Sequence, residues 1–165
     1  MKIELRAACA ATLMCVALPA SAQALKVGAA KVDITPKPAE MPKNMLGVLD
    51  PLNVRAIVVD DGKTRAAMVT VDAGAIMTET WANVAARVER ELKIPTSQLL
   101  LTASHTHSAP WMRGPAYEAQ IFDAIRKAAA AATPARMAYG TGVSYINVNR
   151  NIIDPNHRRR WAGPN

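Results

Sequence analysis

The hydrophobic positions change period several times along the chain, and each change marks an element. Residues 25–34 alternate around Val27, Ala29 and Lys31 and close on Val32 and Ile34 before Thr35-Pro36, which predicts a strand stopped by proline. Residues 37–51 carry prolines and methionines without an apolar period and predict a loop. Val54 to Asp60 and Arg65 to Val71 are β-branched runs joined through Asp60-Asp61-Gly62-Lys63-Thr64, where Asp61-Gly62 is placed to supply the positive φ angles of a tight hairpin turn. From Thr78 to Lys93, Trp81, Val84, Ala85, Val88 and Leu92 fall at helical spacing, with Thr78 as the N-cap, Glu79 in the first turn and Pro95 as the stop. Gln98 to Ala103 is continuously apolar, the pattern of a central strand buried on both faces. A second helix is predicted from Pro115 to Ala132, with Tyr117, Ile121, Ile125 and Ala128 on one face. Ala135 to Tyr145, with Gly140 and Gly142 inside it, predicts a further strand with a bend or bulge. Ile146 to Asn165 is polar and irregular and predicts neither a closing strand nor a helix.

This order gives an α/β fold: a mixed sheet with an antiparallel hairpin followed by two βαβ crossovers. A hydrophobic content of 50% is enough for a core, and with only 4% aromatics that core must come from Val, Leu, Ile, Met and Ala. No internal repeat and no interdomain linker interrupts the pattern.

The start of the chain has a different purpose. Lys2 and Arg6, an apolar run from Ala7 to Leu18, Pro19 and the small residues Ala20-Ser21-Ala22 have the layout of a secretory signal over residues 1–22. The run is shorter than the roughly 20 apolar residues that span a bilayer, so the expected mature protein is residues 23–165, secreted or periplasmic. Cys9 and Cys15 both lie in the leader, which leaves the mature chain without a disulfide or a Cys-ligated metal. Any metal must use His and oxygen. The formal charge of +7 becomes +6 once Lys2, Arg6 and Glu4 leave with the signal. Arg158, Arg159 and Arg160 form a solvated basic cluster that leaves room for transient contact with a membrane surface. With no stacking aromatics interleaved among the basic residues, nucleic-acid binding is not expected.

The chain has three histidines, and two stand in Ser104-His105-Thr106-His107-Ser108-Ala109-Pro110, at the carboxyl end of the apolar strand. Ligands of open α/β sheets sit beyond these strand ends. In extended backbone, residues two apart share a side, so His105 and His107 can converge on one ion or one substrate, or be loop histidines satisfied by Thr102, Ser104 and Ser108. Two imidazoles do not by themselves close a zinc shell of three or four ligands. Asp72, ending Val69-Thr70-Val71-Asp72, should emerge at the same sheet edge, as an acceptor that orients an imidazole or as a turn residue. Arg150, in the polar stretch after the last predicted strand, offers a planar fork for an oxyanion. His157, beside Arg158, reads as a surface residue.

These residues carry a resemblance. Residues 27–36 (Val-Gly-Ala-Ala-Lys-Val-Asp-Ile-Thr-Pro), 55–59 (Arg-Ala-Ile-Val-Val), 71–74 (Val-Asp-Ala-Gly), 100–110 (Leu-Leu-Thr-Ala-Ser-His-Thr-His-Ser-Ala-Pro) and 147–151 (Asn-Val-Asn-Arg-Asn) occur in the order found in the amino-terminal portion of the neutral/alkaline non-lysosomal ceramidase family, which the chain resembles. The resemblance implies a zinc-dependent amide hydrolase acting on a lipid amide, N-acylsphingosine, to give a fatty acid and sphingosine. It implies His105 as a zinc ligand, with His107 and Arg150 as catalytic groups beside the substrate. Ser108 and Asp72 would stand on the substrate side or behind the ligand. The family completes its zinc shell with a second His, a Glu and a Tyr much further along a longer chain, and His157 comes too early to match that histidine. Residues 23–165 are therefore expected to be the amino-terminal part of a truncated catalytic domain. Two other readings stay open: a non-enzymatic exported binding module or inactive remnant, and a hydrolase of another amide or ester on the same scaffold.

Overall fold

A computed structural model describes residues 24–146 and 151–161, so the predicted signal, both cysteines and Arg150 lie outside the described residues. The chain divides into two compact units, residues 1–135 and 136–165.

In the first unit, β1 (Lys26–Asp33), β2 (Asn53–Asp60), β3 (Arg65–Val71), β4 (Leu99–Ala103) and β5 (Thr133–Pro134) make one sheet, with α1 (Thr78–Leu92) and α2 (Pro115–Ala130) between strands. The order across the sheet is β4-β3-β2-β1-β5. The mixed α/β sheet with its antiparallel hairpin stands as the periodicity predicts. β1, β2 and β3 are antiparallel neighbours, and α1 carries the chain from β3 to a parallel β4. The second helical crossover, α2, returns the chain over the sheet to the far side of β1, where β5 pairs antiparallel.

The β2–β3 turn differs from the expected two-residue geometry. Asp60 pairs with Arg65 and four residues form the loop, of which Gly62 has a positive φ of 82° and Asp61 does not. The Asp61 carboxylate accepts from the N–H groups of Lys63 and Thr64 and holds the loop shut, as an Asx turn does. α1 also begins one residue earlier than expected. Met77, extended at φ −70° and ψ 147°, is the N-cap, Thr78 is the first helical residue, and no side chain caps the helix. Its buried stripe is Thr80, Val84, Ala85 and Val88, while Trp81 is 37% exposed.

The core lies between one face of the sheet and the two helices. Val54, Ala56 and Val58 of β2, Ala67, Val69 and Val71 of β3, and Leu99 and Leu101 of β4 share that face and meet Ile121, Phe122, Ile125 and Ala128 of α2 and Val84 and Val88 of α1. Small β-branched and Ala side chains let the helices approach closely, and among the described residues methionine contributes only Met112 at the margin. The expectation that residues 98–103 form a central strand covered on both faces fails. β4 is an edge strand among the described residues, and burial alternates along it, with Leu100 57% exposed beside Met68 and Ile57 on the outer face.

The strand predicted over residues 135–145 does not form; the short β5 lies just before it, at Thr133–Pro134. Residues 135–146 have apolar alternation but no partner strand among the described residues, and alternation without a ladder does not make a strand. In the second unit the tail expected to be irregular contains a hairpin, β6 (Asn151–Ile153) and β7 (Arg159–Trp161). Asp154 closes it: its carboxylate accepts from the N–H groups of Asn156 and Arg158 and pairs with Arg160 at 2.6 Å. His157 lies exposed in this turn, with a left-handed φ of 56°.

Candidate functional site

The parallel pairing of β4 with β3 brings two carboxyl ends to one edge of the sheet. The loop after β3 holds Asp72 to Gly74, and the loop after β4 holds Ser104 to Pro110. Ser104 N–H donates to Val71 O at 2.9 Å, which binds the second loop to the end of the first. The chain then leaves the strand direction at once, because His105 has a φ of 60°, a left-handed conformation that costs an L-residue energy and is uncommon outside functional sites and turns.

This turn, and not an extended backbone, brings the two imidazoles together. Their ring centroids are 4.9 Å apart, edge to face at 71°. His105 Nδ1 lies 2.7 Å from Gly74 O. A carbonyl can only accept, so Nδ1 carries the hydrogen, which leaves Nε2 as the nitrogen able to present a lone pair. A cleft of about 400 Å³ is walled by Gly74, Ala75, both histidines, Pro110 and Trp111. Both histidines are exposed to it.

Asp72 does not reach an imidazole. Its carboxylate accepts from Asn53 N–H at 3.0 Å and from Arg55 at 2.7 Å, and it also receives the Ser104 hydroxyl. Burial pushes its pKa up, but these three donors and the Arg55 charge prevail and hold it below the usual carboxylate value. Asp72 thus ties β2, β3 and the histidine loop together beneath the cleft. The acceptor that orients His105 is the backbone carbonyl of Gly74, which composition and spacing alone did not single out. Its one sequence signal is the Asp72-Ala73-Gly74 turn that follows β3. Ser108 is exposed and faces an adjoining cleft with Met41, Met45 and Leu49. Arg150 cannot be placed against these residues, because it lies outside the described ones. Among the described residues no group of three or more His, Cys, Asp or Glu side chains gathers as a metal shell, so the two imidazoles offer part of one.

The fold and the site define a mixed α/β unit with a histidine pair on the loop after a parallel strand. Two solved structures similar to this fold are ceramidases. One, a ceramidase complexed with C2, has a TM-score of 0.56 and 24% identity over 68% of this chain. Another, neutral ceramidase from Pseudomonas aeruginosa, has a TM-score of 0.54 and 25% identity over 68% of this chain. The chain spans 22% of the length of each. No protein-family model and no curated protein sequence matches the chain. The fold therefore resembles that of neutral ceramidase, and no helix among the described residues is long and apolar enough to cross a membrane.

Proposed function

We propose that this chain belongs to an exported, zinc-dependent amide hydrolase of the neutral ceramidase type, whose substrate is N-acylsphingosine or a closely similar lipid amide. The observation that carries the reading is the His105–His107 pair held at the strand end, within a fold like that of ceramidases. His105 is the metal ligand, through the Nε2 lone pair that the Gly74 carbonyl leaves free. The remaining ligands belong to residues other than those described. When bound, zinc would polarise a carbonyl oxygen and lower the pKa of a water to about 7.

The chain's own residues orient and bind. Gly74 fixes the ring of His105, and His107, exposed in the same cleft, presents a ring N–H to the amide oxygen. Trp111 gives the cleft an apolar wall for the lipid. Hydrolysis breaks the amide C–N bond, with hydroxyl going to the acyl carbon and a proton to the amine. Export through a leader over residues 1–22 is part of the same proposal.

Zinc affinity, measured by competition with a chromophoric chelator, is expected to fall at least tenfold in His105→Ala and to be unchanged in His157→Ala. Equal affinity in the wild type and His105→Ala sinks the ligand assignment. A short-chain N-acylsphingosine in micelles should shift the ring resonances of both His105 and His107; no shift at either overturns the substrate assignment.

A further inference from the structure

The loop between β1 and β2 carries apolar side chains that lie outside the core. Met41, Met45, Val48 and Leu49, with Leu52 and Pro110, line a cleft of about 520 Å³, a size common among sites for small ligands. Leu49 and its neighbour Leu46 stand almost entirely in solvent, and exposed apolar patches mark binding surfaces. The base of the loop is fixed, because Ile34 N–H donates to Leu52 O and Leu52 N–H to Thr35 Oγ1, both at 2.9 Å. This cleft adjoins the histidine cleft: Thr106 and Pro110 line both. A molecule with its polar group at the histidines can therefore pass Pro110 and extend along the loop.

The chemistry of the lining narrows the occupant. No Lys, Arg or His lines the cleft, and its one carboxylate, Asp50, is exposed to water at the edge. Thr35 Oγ1 already accepts from Leu52 N–H, and Thr106 Oγ1 accepts from Ser108 N–H at 3.2 Å. A peptide or a sugar needs hydrogen bonds along its length and would leave polar groups unmet against this wall, whereas a hydrocarbon chain needs none. Unbranched, flexible methionines adapt to such a chain.

We propose that this cleft holds the hydrocarbon chain of an uncharged amphiphile whose amide lies at His105 and His107, so that the β1–β2 loop sets which chain lengths are accepted. The position of the amide rests on the amide hydrolase reading; the position of the chain rests on the cleft alone.

The test uses the full chain in metal-free buffer, titrated with hexanamide, octanamide and decanamide and followed by the methionine methyl and histidine ring resonances. Affinity is expected to rise about two- to fourfold for each added CH₂, the upper figure corresponding to full burial. Decanamide should move the methyls of Met41 and Met45. Leu49→Ser changes an exposed side chain and leaves the core intact, and it should weaken decanamide by about threefold or more while leaving hexanamide nearly unchanged. Leu100→Ser, at an exposed leucine on the outer face of the sheet, should change neither. Affinity that does not rise with chain length, or equal losses in Leu49→Ser and Leu100→Ser, overturns the proposal. Histidine shifts without methionine shifts also overturn it and leave the amide hydrolase reading standing. Methionine shifts with the length dependence but with silent histidines keep the chain site and count against that reading.

Discussion

Gly28→Ala is expected to destabilise the first unit by about 3 kcal/mol or more, at the upper end of what overpacking costs. Gly28 sits in β1 opposite Val58, under the carboxyl-terminal turn of α2. A Cβ there would overlap Ala128 O and lie 2.7 Å from Ala132 N and 2.9 Å from Ala131 C. All three are backbone atoms, so no rotamer change relieves the clash, and α2 must lift from the sheet. Lifting it loosens Ile121, Ile125 and Ala128 against β1 and β2, together with the short β5 that follows the helix. Thermal melts followed by circular dichroism should show a fall in Tm of about 10 °C. Gly140→Ala, where an added Cβ meets nothing within 4 Å, serves as the control and should leave the melt unchanged. Equal melts for the two variants would refute the close approach of α2 to β1.

The elements readable from the sequence are those whose cause is local. β2 and β3 follow from β-branched runs around Asp61-Gly62, and α2 from the spacing of Tyr117, Ile121, Ile125 and Ala128, all four of which are buried. What failed depends on partners that no local pattern names. Leu99-Leu100-Leu101 has the same composition in a central strand as at an edge, and only the sheet order exposes Leu100. Residues 135–145 alternate correctly for a strand, yet a strand needs a neighbour to hydrogen-bond. The β6–β7 hairpin was hidden because Arg158, Arg159 and Arg160 look like a solvated cluster until Asp154 is seen to gather the turn.

At the site, the spacing of His105 and His107 was enough to suggest proximity, but not the left-handed turn at His105 that achieves it. Gly74 orients His105 through a backbone oxygen, a group every residue has and no residue type announces. Asp72 was visible as a carboxylate at the correct edge. Its direction was not, because the competition between an imidazole and Arg55 is settled by the register of β2 against β3.

That register makes Asp72→Ala the second substitution with a large expected effect, about 2–4 kcal/mol. The carboxylate is mostly buried and receives the Arg55 guanidinium, the Asn53 N–H and the Ser104 hydroxyl. Hydrogen bonds to a charged group contribute about 1.5–3 kcal/mol, and a buried donor left unpaired costs about 1–3 kcal/mol. Arg55 is half exposed and can return to water, so its ion pair adds little. The larger loss is the Asn53 N–H, in a residue that is 6% exposed.

The pH dependence separates this from a packing defect. Because the folded-state pKa of Asp72 lies below its ordinary value of 3.8, its contribution is fully present above that value and is lost as pH falls through the folded pKa. The stability difference between the wild type and Asp72→Ala, measured by urea unfolding, should hold constant from neutral pH to about pH 5 and shrink below about pH 4. A difference that persists undiminished at pH 3 would mean that the side chain's shape, and not its charge, holds the strand ends together. Asp72→Asn sharpens the comparison, since it keeps the shape and one acceptor for Asn53 N–H while removing the charge. It should retain part of the stability and show none of the acid-dependent loss. Because Ser104 hangs from the same carboxylate one residue before His105, both variants should also move the His105 ring resonances, linking the sheet's edge to the cleft it supports.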